Sequence, residues 1–521
     1  MNIYEMSACS ILKHLEARDC SAEEVLNSHF NRIEELNADI GAVVHLLKAD
    51  ALKRASASDK RRAQNSAFPL DGLPISVKEN IETQGLASTM GVRSRKNIIA
   101  SKDAVLVKAF KDLGAIPHIK TNIPELLLSF ECHNTMWGTT LNPWNRERAP
   151  GGSSGGEAAA IAAGFSPLGL GTDIGGSIRI PAAWCGIAGI KPTYGYWSMK
   201  GIVGAIKGQE IVRAQAGPMA RHVEDLHLAL CVLSPKIMGE YDPRTPPLSM
   251  SKNFDTDVEG LRIGFYEDDG FFEPAQSIKR AVQEAKEALE KRGAILIPYK
   301  PPKSWELIHI YFSALSADGA LILKEQMKQQ RPIVQLQSLF RIASLPSSVR
   351  ALTAKTMKLR GEKRLHHLLT AIGKKEVHQL WRLTEQRTKL QREEMELWRE
   401  HDLDILIGPP VVTPAALHGE TGDWSLGAYH TMRYNLLDLP AGVVPFSKVK
   451  QEETKMRSIE DRLTSKAAFF EKNSVGMPLS VQVIGKPWQE SKVLKVMGAL
   501  EEEAKKRNDF PLTPVQPERR K

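Results

Sequence analysis

Gly151-Gly152-Ser153-Ser154-Gly155-Gly156-Glu157, followed closely by Gly171-Thr172-Asp173-Ile174-Gly175-Gly176-Ser177-Ile178-Arg179, are the stretches from which the rest of the chain is read. Their glycines admit backbone conformations and close approaches that a Cβ would block, and three serines sit among them. Loops of this kind expose N–H groups and hydroxyls together. That pairing suits a site where a serine attacks a carbonyl and backbone amides hold the oxyanion. Between the two loops, Glu157 to Ala163 reads as a short alanine-rich helix and Pro167 to Leu170 as a strand.

Upstream, PLDGLPISVKENI (69–81) has Gly and Pro punctuation and then a short apolar strand, Leu73 to Val77, that delivers Lys78 at its end. Asp103 to Leu113 reads as a helix stopped by Gly114 and followed by a strand, Ala115 to Ile119. Nearer the N-terminus, Ser21-Ala22-Glu23-Glu24 fits a capping box, and Val25, Leu26, Phe30, Ile33 and Leu36 then recur at helical spacing. Val43 to about Ala55 reads as a second helix, with Ser56 to Ser66 as a polar linker. Downstream, Leu261 to Tyr266, Ser277 to Arg292 and Ala294 to Pro298 repeat the strand, helix, strand order, and late strands fit Leu403 to Ile407 and Leu479 to Ile484. This alternation predicts an α/β fold, a mixed or largely parallel sheet covered by helices. No repeat of fixed period is visible.

With 521 residues, 42% hydrophobic and 25% charged, the chain has enough apolar material for a sizeable core, which excludes wholesale disorder. The five cysteines are odd in number, widely spaced and without a C-x-x-C pair, which argues against a disulfide framework and against a zinc site. Met1 to Cys20 holds no apolar run long enough for a signal peptide or a membrane span, so the chain reads as cytoplasmic.

The net charge of +9 is concentrated rather than spread. From Arg341 to Lys375 there are nine Lys or Arg and one acid, Glu362, within a segment, Trp305 to Glu400, that is almost wholly helical in pattern. Basic and apolar residues alternate there as in helices that lie on an anionic membrane surface, although a solvated helical pair has the same pattern. Aromatics for base stacking are scarce and no recognition module is present, which argues against nucleic acid as a partner.

The chemistry has rival readings. Gly152 to Gly156 satisfies G-x-S-x-G, the nucleophile elbow of an α/β-hydrolase with Ser154 as nucleophile, but the residues before it, Asn142 to Pro150, are a loop rather than the required strand. His222, His227 and His430 stay open as bases for that alternative. Neither glycine loop has the GK[ST] of a phosphate-binding loop or G-x-G-x-x-G spacing.

The residues also resemble the amidase-signature hydrolases, and within them the fatty-acid amide hydrolases. The resemblance is carried by Gly151 to Glu157, GTDIGGSIRIP (171–181), CGIAGIKPTYG (185–195) and SVKEN around Lys78, with 75 positions from Lys78 to Ser153 and 24 from Ser153 to Ser177. It continues in NLLDLPAGVVP (435–445) and NSVGMPLSVQV (473–483). The resemblance implies one amidase-signature domain over 1–521, with N-terminal helices in 1–66, a catalytic core in 67–300 and 401–521, and a helical cap at about 301–400. It implies Ser177 as nucleophile, Ser153 as bridging serine with a cis Gly152–Ser153 peptide, Lys78 as base, and the amides of Ile174, Gly175, Gly176 and Ser177 as oxyanion donors. Leu127 would contact the acyl part of the substrate, and Ser154, Asp173 and Arg179 would support the loops.

Lys78 can accept a proton only when neutral, and burial is what lowers a lysine pKa. The resemblance implies hydrolysis of fatty-acid primary amides or N-acylethanolamines, with no metal or other cofactor, by a homodimer, and the basic, amphipathic region 332–360 is expected to hold it reversibly on a membrane. The alternatives are a broader amidase or esterase, a non-catalytic amidase-like lipid-binding protein, and an amidotransferase subunit.

Overall fold

The computed structural model describes residues 2–328, 330–454 and 457–516. Among these residues thirteen strands follow in chain order: β1 (Val43–Leu46), β2 (Pro74–Lys78), β3 (Ile116–Thr121), β4 (His133–Asn134), β5 (Gly138–Thr139), β6 (Leu168–Asp173), β7 (Ala188–Lys191), β8 (Gln215–Ala220), β9 (Arg262–Phe265), β10 (Ile295–Pro298), β11 (Ile405–Gly408), β12 (Ala441–Lys448) and β13 (Pro478–Gly485). Eleven of them form one mixed sheet in the order β1-β3-β2-β6-β8-β7-β12-β13-β11-β9-β10, and β4 and β5 make a separate hairpin. The pairs β3–β2 and β2–β6 are parallel, as are β11–β9 and β9–β10, while the middle of the sheet is antiparallel. Helices flank this sheet, and one extended apolar core joins the two.

Local chemistry accounts for the elements that were legible. The capping box forms: Ser21 Oγ accepts from Glu24 N at 3.1 Å and Glu24 Oε2 accepts from Ser21 N at 2.8 Å, opening a helix, Ala22–Ile40, that ends at Gly41 in the left-handed region. Every residue of β2 is buried, as a parallel strand covered on both faces requires. Its register places Lys78 beside Thr121 and Val77 beside Leu170.

Three sequence readings need correction. Val43–Leu46 is a strand paired with β3, not the start of a helix: two valines there fit a pleated edge better than a helical turn. The helix begins at Lys48 and runs to Ala63, so most of the segment read as a linker is helical, with Ala51, Ala55 and Ser58 on its buried side. The strand before the second glycine loop continues through Thr172 and Asp173, because both pair with β8.

The described residues between β10 and β11 form six helices and no strand: Ser304–Leu315, Leu321–Met327, Val334–Ser344, Ser347–Leu359, Lys363–Ala371 and Val377–Glu400. A separate apolar cluster packs Leu323, Met327, Ile333 and Leu336 of this segment against Met90, Ile123, Leu126 and Val203. Those contacts seat the helical segment on residues of the loops that follow β2, β3 and β7.

Candidate active site

Lys78 ends β2 with its side chain fully buried. Its Nζ donates to Ser153 Oγ at 2.7 Å, to Thr172 Oγ1 at 2.9 Å and to the Thr172 carbonyl at 3.3 Å. Burial pushes its pKa down to about 7, against the opposing pull of Asp173 and more distant acids. Thr172, which lies in the second quoted glycine stretch but has no role assigned from the sequence, therefore supplies two of the three acceptors.

Ser153 follows a cis peptide bond with Gly152, where the resemblance placed one. Gly152 has no room for a side chain, since a Cβ there would strike the Ser129 carbonyl. Ser153 and Ser177 are both buried, and both line one cleft of about 390 Å³. The two loops are stitched together next to them by the Ser154 amide, which donates to the Ser177 carbonyl at 3.1 Å. Ser154 itself is fully buried behind the cleft, with its Oγ 3.4 Å from the Thr172 carbonyl.

Asp173 and Arg179 form a buried ion pair that shapes the second loop. Arg179 Nε donates to Asp173 Oδ2 and Nη2 to Oδ1, each at 3.0 Å. Burial works to raise the Asp173 pKa, but the Arg179 guanidinium overrides it and holds the carboxyl well below the usual carboxylate range. The same carboxylate accepts from the amides of Gly176 at 2.7 Å and Ile178 at 3.2 Å. Asn435 and Gln482 brace the far side of Arg179, at 2.6 and 2.8 Å. Both lie in the stretches 435–445 and 473–483 quoted for the resemblance, which was the available signal for them.

This arrangement turns the Gly176 N–H to Asp173, unlike the expectation that it faces an oxyanion. Among the described residues the amides of Ile174, Gly175 and Ser177 have no protein acceptor. The loop is fixed from two further helices: Tyr311, in Ser304–Leu315, donates its hydroxyl to the Ile174 carbonyl at 3.2 Å, and Thr431, in Tyr429–Leu436, donates from Oγ1 to the Gly175 carbonyl at 2.9 Å. Gly176 has φ +114, and a Cβ there would run into Thr431, so only glycine fits.

Glu157, the last residue of the first quoted stretch and given no role there, is fully buried next to β2, accepting from Thr121 Oγ1 at 2.6 Å and from Ser76 Oγ. Burial raises its pKa to about 7. Leu126 and Leu127 both have positive φ, 56 and 61, and line the cleft together with Leu128, Met199, Ile202 and Val203. The three histidines kept open for the elbow alternative lie elsewhere. His222 faces Glu501 at 3.6 Å, His227 bonds the Ser251 carbonyl, and His430 is buried against the Tyr429 ring. None of them lines the cleft. No strand immediately precedes Gly152.

The Amidase family model matches residues 24–494. The chain belongs to the amidase family. Fatty-acid amide hydrolase 1 of Sus scrofa is 36% identical over 506 residues, which cover 94% of this chain and 84% of that protein. One subunit of the glutamyl-tRNA(Gln) amidotransferase of Carboxydothermus hydrogenoformans is 31% identical over 96% of this chain and 98% of its own length. A solved structure of a fatty acid amide hydrolase superposes with a TM-score of 0.84 at 26% identity, covering 96% of this chain and 85% of that one. The fold is thus the amidase-signature α/β fold, and the protein is an amide C–N hydrolase related to the fatty-acid amide hydrolases.

Proposed function

We propose that this amidase hydrolyses fatty-acid amides, primary amides and N-acylethanolamines, through an acyl-enzyme on Ser177, with Ser153 as proton bridge and Lys78 as base. The observation that carries the reading is the 2.7 Å contact between Lys78 and Ser153 on the wall of the cleft that Ser177 lines. Neutral Lys78 accepts the Ser153 proton while Ser153 Oγ takes that of Ser177, whose oxygen bonds to the amide carbon. The amides of Ile174, Gly175 and Ser177 are the donors for the resulting oxyanion. Returning along the same chain, the proton passes to the amine as the C–N bond breaks, and water then releases the fatty acid.

The apolar wall from Leu126 to Leu128, with Met199, Ile202 and Val203, suits an acyl chain. Exposed Val334, Leu352 and Leu359, with Arg341, Lys355, Lys358 and Arg360 in the same two-helix region, suit peripheral attachment to an anionic lipid surface. No helix among the described residues is long and apolar enough to cross a membrane.

The test is labelling with a fluorophosphonate alongside a panel of oleamide, N-acylethanolamines and short aryl amides. Labelling is expected to vanish in Ser177→Ala. Labelling that persists, or moves to Ser154, overturns the assignment in favour of the elbow esterase. The match to one chain of an amidotransferase over nearly its full length supports a second reading, an ammonia-supplying subunit. Co-purification with stoichiometric partner chains, together with hydrolysis of glutamine in place of the lipid amides, would support that one.

A further inference from the structure

The cleft that holds Ser153 and Ser177 has many apolar lining residues, but Tyr194, Lys207, Glu210 and Arg213 also line it. Arg213 is the unusual member. Its guanidinium lies over the Tyr194 ring, 3.9 Å from the centroid, and one terminal nitrogen, Nη2, donates to Asp438. Its Nε–H is buried and has no acceptor in the protein. A buried donor left unpaired is costly unless something that visits the site accepts it.

Asp438 does not neutralise Arg213 on its own, because Arg387 also donates to the same carboxylate oxygen, Oδ2. Two guanidinium groups thus share one carboxylate, and Lys207 adds a further positive charge to set against Glu210. Asp173, the other acid on the lining, is already paired with Arg179. The balance of Lys207, Arg213 and Arg387 against Glu210 and Asp438 is positive. A guanidinium held flat by an aromatic ring, with its Nε–H free of any protein acceptor, suits a planar carboxylate better than a hydroxyl.

We propose that Arg213 is a specificity-determining residue that binds a carboxylate on the amine half of the substrate. The amidase would then take N-acyl amino acids in preference to N-acylethanolamines. The inference rests on the proposed fatty-acid amide reading and narrows it: the apolar lining residues take the acyl chain, and the positive ones take the amino acid. Hydrolysis breaks the same C–N bond, with water supplying oxygen to the acid and hydrogen to the amine. No further reactant is required.

The test compares kcat/KM for N-oleoylglycine, N-oleoyl-β-alanine and N-oleoylethanolamine in the full chain and in Arg213→Gln and Arg213→Lys. Asp438 keeps Arg387 in these variants, so neither leaves a buried carboxylate unpaired. In the natural chain the better of the two carboxylate substrates is expected to exceed the ethanolamide by about tenfold. In Arg213→Gln that ratio is expected to collapse towards one, mainly through KM, with Arg213→Lys between the two. Added salt should raise KM for the carboxylate substrates alone. A ratio that survives Arg213→Gln, or a natural chain that prefers the ethanolamide, overturns the role of Arg213 while leaving the fatty-acid amide reading in place. Failure to cleave any of the three overturns both.

Discussion

Lys78 Nζ lies 2.7 Å from Ser153 Oγ, and both groups are buried. The contact joins the end of a strand to a loop 75 positions later, at hydrogen-bonding distance. Replacing Lys78 with Ala is expected to slow amide hydrolysis by about 10²–10⁴-fold, the usual contribution of a positioned acid–base group. Esters should lose much less, because their leaving group needs no early protonation. Steady-state kinetics on a matched oleoyl amide and oleoyl ester checks this, and equal losses would count against the relay.

The pH profile follows from the same residue. Burial holds Lys78 at about 7 in the folded chain, so below that pH it is an ammonium and cannot accept a proton. We expect kcat/KM for amides to rise with pH through a limb centred near 7. A flat profile from pH 5 to 9 would argue that another group is the base.

Stability should move the opposite way in the absence of the lysine. A lysine whose folded pKa is depressed from its ordinary value of 10.5 penalises folding most fully below about pH 7, and the penalty fades as pH rises towards the unfolded value. Lys78→Met is therefore expected to be inactive yet more stable at pH 6, by about 1–4 kcal/mol. That advantage should shrink by pH 9, as read by denaturant unfolding at the two pH values.

Arg179 and Asp173 form an ion pair with no exposed side-chain surface. Arg179→Met leaves the carboxylate buried and uncompensated, which costs about 3–5 kcal/mol. Because the folded pKa of Asp173 is depressed, the stability that the pair confers is present at neutral pH and lost only in strong acid. Thermal unfolding at pH 7 should therefore reveal the whole loss, together with loss of activity as the Gly176 tether is disturbed.

Val334, Leu352 and Leu359 expose 72%, 67% and 81% of their surface on the helical segment that also carries Arg341, Lys355, Lys358 and Arg360. Changing those four basic residues to Gln should reduce co-sedimentation with anionic liposomes. Added salt should do the same to the natural chain, because the attraction fades within about a Debye length, roughly 8 Å at physiological salt. Equal binding by the two proteins would show that the charges play no part.

Legibility in the sequence tracked locality. The capping box at Ser21, the apolar run into Lys78 and the amphipathic helix after Asp103 depend on residues within a few positions of one another. Strands β7, β8 and β12, in contrast, were not read from AGIK, QAGPMA and AGVVPFSK, because glycine and proline are depleted in strands. Their pairing explains the glycines: a Cβ on Gly217 would strike the Ile190 carbonyl, and one on Gly442 would strike Met497. Thr172 and Glu157 were given no role for a related reason. A threonine beside a glycine and a glutamate in an alanine-rich helix look ordinary until the sheet brings both close to Lys78.

The sequence by itself determined the α/β class, the two serine-bearing glycine loops and the lysine at the end of a strand, since each follows from periodicity, turn chemistry and spacing along the chain. Only the tertiary structure decided that the Gly176 amide faces Asp173, that Thr172 holds Lys78, and that Arg213 lines the cleft with its Nε–H free of a protein acceptor. Those outcomes depend on contacts between residues far apart in sequence, and on which groups burial leaves without water. Neither is encoded within any single stretch of the chain.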